Sequence, residues 1–83
     1  MMKPEIVLKM KEQFKAEMAA YTAYEMLKEQ IDDDYLEDAL EEIMYDEFLH
    51  AKFLRSYMME EGIYDPLQHV ECEKTYKKMM ENE

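Results

Sequence analysis

The chain has 83 residues, enough for a single domain over 1–83 and too few to bury much more than roughly 60% of its unfolded surface. Its 10 Lys and Arg stand against 21 Asp and Glu, a net charge of −11 that repels phosphate backbones and anionic bilayers and attracts cations. A single Cys excludes an internal disulfide, no apolar run nears the ~18 residues of a membrane span, and "MMKPEIVLKMKEQ" has charges where a secretory signal has its apolar core. The expectation is a cytoplasmic protein with neither nucleic acid nor membrane as partner, stabilised by a metal or by self-association. One Gly and two Pro among many Glu, Lys, Met, Leu and Ala favour long helices, and the ten scattered Met read as core filler.

Pro4 and Glu5 suit a first helical turn, and Ile6, Met10, Glu17, Tyr21, Tyr24 and Ile31 then fall on one stripe, which predicts helix 1 over about 4–31. "DDD" at 32–34 stops it, and Asp34 with Glu37 reads as a capping box for helix 2, about 34–61. Leu36, Leu40, Ile43, Glu47, His50 and Leu54 form its predicted inner stripe, and Gly62 ends it. Asp65, Pro66 and Gln68 read as the capped start of a third helix over about 65–80, amphipathic through Leu67, Val70, Tyr76 and Met79 and expected to serve as an assembly surface.

Two long helices joined by so short a turn must run antiparallel. With the apex near residue 32, positions whose numbers sum to about 64 lie level, so Glu17 faces Glu47, Tyr24 faces Leu40 and Met10 faces Leu54. The ionisable residues that interrupt the two apolar stripes are therefore level with one another. One hairpin cannot close a core, and a two-fold dimer forming a four-helix bundle would gather four Glu and two His in one layer. Unpaired buried carboxylates cost several kcal/mol each, whereas Glu oxygens and imidazole suit iron, with Mn or Zn as other fits. Four carboxylates also balance the charge of two divalent ions. Glu17, Glu47 and His50 are thus the candidate metal ligands, with one metal per chain.

"EMAAYTAY" from Glu17 to Tyr24 and "DEFLHA" from Asp46 to Ala51 resemble the two halves of the ferritin-like di-iron motif, a lone Glu on one helix and Glu-x-x-His on the next. The single hairpin, the interval of 30 residues from Glu17 to Glu47, and a Tyr seven residues after Glu17 are similar to the encapsulated ferritins over about residues 10–60. That resemblance implies an all-α fold, a dimer sharing a di-iron ferroxidase centre, and association of such dimers into a ring inside an encapsulin shell. It implies Glu17 and His50 as terminal ligands, Glu47 as the bridge and Tyr24 behind the carboxylates, a place Tyr21 would also fit. The chain departs from the family in having Ala16 and Ala19 where additional acidic residues attract iron, and its end, "KKMMENE", carries no targeting peptide. Ferroxidase action in iron storage or detoxification is the resulting expectation. A rubrerythrin-like scavenger of peroxide or oxygen is one alternative, although one Cys cannot form a four-Cys iron centre. A non-catalytic acidic interaction module is the other. His69, Cys72 and Glu73 share a helical spacing that suggests a second, weaker cluster.

Overall fold

The structure, a computed structural model, describes residues 2–83, and these form helices and no strand. Helix α1 spans Pro4–Glu29 and α2 spans Asp34–Glu60, joined by a four-residue turn; a single 3-10 turn at Pro66–Gln68 leads into α3, Val70–Asn82. No helix is long and apolar enough to cross a membrane. α1 and α2 pack along their length as an antiparallel pair, as expected, and α3 folds back across one side of it.

The helix ends follow local chemistry, with two corrections to the predicted caps. Asp33, not Asp34, caps α2: its backbone is extended and its side chain accepts from Leu36 N at 3.0 Å, the N3 amide of the new helix. Among three consecutive aspartates, backbone geometry selects the cap. Gly62 ends α2 as predicted, at φ 70°, with Ile63 N donating to Met58 O and Gly62 N to Met59 O in a Schellman pair. The predicted third helix is split. Asp65 caps only the 3-10 turn, accepting from Leu67 N, and His69 breaks the chain at φ −130°, ψ 54° before α3 begins. Leu67 and Val70 are consequently exposed, while Tyr76 and Met79 are buried as expected.

The core is not the predicted pair of stripes but the neighbouring faces. Phe14, Met18 and Tyr21 of α1 meet Met44, Phe48, Ala51 and Met58 of α2, with Tyr64, Tyr76 and Met79 closing over them, and Leu40 is buried nearer the start of α2. At 100° per residue these faces are turned by about 70° from the predicted stripes, and only Tyr21 and Leu40 belong to both. The reason is α3: instead of serving wholly as an assembly surface, it spends its apolar face on its own hairpin. Tyr76 stacks on Phe48 with ring centroids 6.0 Å apart and tilts against Phe14 at 6.3 Å. A clasp of charge locks the same side. Arg55 Nε and Nη2 donate to Glu73 at 2.9 and 2.6 Å, Tyr64 donates to Glu73 at 2.8 Å, and the guanidinium lies 4.7 Å from the Tyr76 ring centre.

Apart from Tyr21 and Leu40, the predicted stripes lie on the flank of the hairpin next to the core, which α3 leaves open. Ile6, Leu36 and Ile43 lie there, 38–45% exposed, beside half-buried Met10, Tyr24 and Leu54. The molecule is correspondingly elongated, 48 × 21 × 15 Å, with a radius of gyration of 14.1 Å against roughly 12 Å for a compact chain of this length. Its accessible surface of 6046 Å² exceeds the roughly 5,300 Å² usual for a monomer of this mass.

Candidate metal centre

Glu17, Glu47 and His50 come together on that open side. One ligating atom from each lies within 4.8 Å of the other two. The meeting is a consequence of antiparallel register: Glu17 stands near the midpoint of α1, and Glu47 with His50 near the midpoint of α2. Within α2, the i,i+3 spacing brings Glu47 and His50 onto neighbouring positions of one face. His50 Nδ1 approaches Glu17 Oε2 at 3.3 Å, and the second oxygen of Glu17 accepts from Gln13 Nε2 at 2.9 Å.

The three side chains differ in their surroundings. Glu17 is 12% exposed and His50 60%, so the carboxylate sits in the seam while the imidazole forms the outer lip. Burial pushes the Glu17 carboxyl up, but hydrogen bonds from Glu47, Gln13 and His50 outweigh it and hold it below the usual carboxylate range. Glu47 moves the opposite way. The hydrogen bond it shares with Glu17, then burial, then the charge of Glu17 push it from an ordinary 4.5 up to about 7. Two carboxylates this close disfavour the doubly ionised state, so protonation of the pair extends to higher pH than for an isolated carboxylate.

The donor set fits a divalent cation. Two carboxylates and one neutral imidazole are the oxygen and nitrogen donors preferred by Fe(II), Mn(II) and Zn(II), and once Glu47 is deprotonated their charge of −2 neutralises one such ion. The 3.3 Å between Glu17 Oε2 and His50 Nδ1 is also the separation of two atoms that each bind one ion at about 2.1 Å with an angle near 100°. Among the described residues one chain supplies three such side chains, and His50 leaves the group open to solvent.

Tyr24 lies on the same side, half-buried against the core, and among the described residues no hydrogen bond joins its hydroxyl to the three ligand candidates. Tyr21 turns away, its hydroxyl donating to Glu83 Oε1 at 3.0 Å near the end of α3. Sequence reasoning passed over Gln13, the residue that touches Glu17; its signal was the i,i+4 spacing on a helix already predicted. The second cluster does not assemble. Glu73 is held by Arg55 and Tyr64, and His69 stacks on Tyr64 with centroids 4.6 Å apart, leaving Cys72 half-buried and unclustered. Comparison with protein-family models, with curated proteins and with solved structures yields no match to this chain.

Proposed function

We propose that the protein is a ferroxidase whose di-iron site is completed by two copies of the chain. The observation that carries this reading is the convergence of Glu17, Glu47 and His50 within 4.8 Å on the side of the hairpin that α3 leaves open. The resemblance to encapsulated ferritins supplies the chemistry, and two features support the assembly. Exposed Ile43 lies one turn before Glu47 on α2, and exposed Ile6 and Leu36 carry apolar surface toward the two ends of the same side, surface of the kind that drives association. The ligands' place near the midpoint of both long helices means that a two-fold axis through them overlaps the hairpins along their whole length.

In this arrangement Glu17 and His50 of each chain would hold one iron, with Glu47 as the shared carboxylate. Bound iron would supply the redox chemistry: two Fe(II) would give up one electron each, and the two electrons together with two protons would reduce O₂ to H₂O₂, or H₂O₂ to two waters. A proton held by the Glu17–Glu47 pair would leave on cation entry, so that the carboxylate charge rises to meet that of the metal. Burial of Glu17 in the seam strengthens its attraction to the cation by removing water's screening. Met10, Tyr24 and Leu54, half-buried against the core on this side, would supply apolar surroundings, and the resemblance gives Tyr24 the place behind the carboxylates. Manganese or zinc fits the same donors without the oxidation chemistry.

Anaerobic addition of Fe(II) followed by admission of O₂ tests the reading, with Fe(III) absorbance and iron per chain as the measurements. The expected result is about one iron per chain and rapid oxidation, both abolished in Glu17→Ala, Glu47→Ala and His50→Ala. Oxidation no faster than in buffer would exclude a ferroxidase. Iron bound but oxidised only by peroxide would favour the rubrerythrin-like scavenger instead, and no metal bound by the wild-type chain would leave the acidic interaction module.

A further inference from the structure

Gln13 lies one turn before Glu17 on α1, and its amide nitrogen donates to Glu17 Oε1 at 2.9 Å. The other oxygen, Oε2, is the one that faces His50 Nδ1 at 3.3 Å. A glutamate on an open helix face rotates freely about its last torsion and offers either oxygen, or both, to a cation. Here the two oxygens are made unequal: one is engaged by an amide, and the other is turned toward the second ligand candidate.

We infer that Gln13 is a positioning residue for cation binding, holding Glu17 so that it ligates through Oε2 alone. The inference rests on the metal reading given above and adds a residue that the ligand motif does not contain. The residue type suits the task. A Lys or Arg at this position would neutralise the carboxylate and compete with the cation, and an Asp or Glu would push the carboxylate away. An amide donates a hydrogen bond and leaves the charge of Glu17 free for the metal. Outer hydrogen bonds of this kind orient ligands, and their removal typically costs about 10- to 100-fold in metal affinity. As a surface pair at i,i+4 spacing, Gln13 and Glu17 matter little to the stability of the helix itself.

Co(II) is a suitable probe, because its visible absorption weakens as the coordination number rises. Gln13→Met keeps the length of the side chain and removes the donor. The expected result is a Co(II) dissociation constant raised about 10- to 100-fold and a weaker visible band, as Glu17 turns to bind through both oxygens. Helical content and the thermal midpoint of the metal-free chain stay at wild-type values. Glu12→Gln, on the same turn, binds Co(II) as the wild type does. Wild-type affinity and spectrum in Gln13→Met, with binding abolished in Glu17→Ala, would overturn the role of Gln13 alone. Failure of the wild-type chain to bind Co(II) would overturn the metal reading and this inference together.

Discussion

The two sides of the α1–α2 hairpin are built on opposite principles. The side under α3 is self-sufficient: Phe14, Met18, Phe48, Met58 and Tyr76 fill it, and carboxylates along it are partnered, Glu73 by a bidentate guanidinium and a phenol and Glu25 by Asn82 and Lys78. The open side puts Glu17 and Glu47 beside each other, among the described residues with no Lys or Arg paired to either, and carries half-exposed Ile6, Leu36 and Ile43 along its length. A chain that neutralises Glu73 so thoroughly has the means to neutralise Glu17 and Glu47. Glu17 and Glu47 are instead left beside an imidazole, the arrangement on which the metal proposal rests, whereas the Arg55–Glu73 clasp joins α3 to the hairpin.

The largest effects break the comparison on the covered side. Phe14→Ala or Met58→Ala removes a fully buried side chain and is expected to cost about 3–5 kcal/mol, seen as a lower urea midpoint of the metal-free chain. Ile43→Ser, on the open side, is expected to cost that chain under about 1 kcal/mol while weakening association. Equal losses at both positions would mean that the hairpin has one core and no spare face.

Next in size is Glu73→Ala, which strands Arg55 and Tyr64 in partly buried positions and is expected to cost about 2 kcal/mol. The two sides also titrate in opposite senses. The Arg55 hydrogen bonds outweigh burial and hold the Glu73 carboxyl below 4.5. Its contribution is therefore present above that ordinary value and lost as pH falls through the depressed one. Glu47 is raised, so what it contributes to the metal-free fold is fully present below about 4.5 and lost as pH rises through about 7. Glu47→Gln, which keeps the neutral form at every pH, is expected to raise the thermal midpoint of the metal-free chain at pH 8 and leave it nearly unchanged at pH 4. After allowance for solvent screening the gain is about 1 kcal/mol. The same substitution abolishes metal binding, which separates stability from function in one variant. In the wild type, metal affinity is expected to rise with pH through about 7, as Glu47 loses its proton.

The site was more legible in the sequence than the core. Register depends only on a short turn and two unbroken helices, so the level pairing of Glu17 with Glu47 could be read by counting, and His50 followed from its i,i+3 spacing. The covered face was missed because both helices carry apolar residues on more than one side. A stripe chosen without α3 selects the face that carries Glu17, Glu47 and His50 and overlooks Met44, Phe48 and Met18 beside it. Glu73 looked like a ligand candidate from its spacing to His69 and Cys72; its capture by Arg55, 18 residues away, depends on how α3 returns. Asp33 and Asp34 compete for one cap, and no local rule separates them before the turn geometry is known.

Native mass of the metal-free chain, measured before and after stoichiometric Fe(II) is added without oxygen, tests the central claim most directly. The expected result is a shift toward a dimer or a multiple of it, carrying one iron per chain and lost in Glu17→Ala. A chain whose mass and metal content are the same with and without Fe(II) would contradict it.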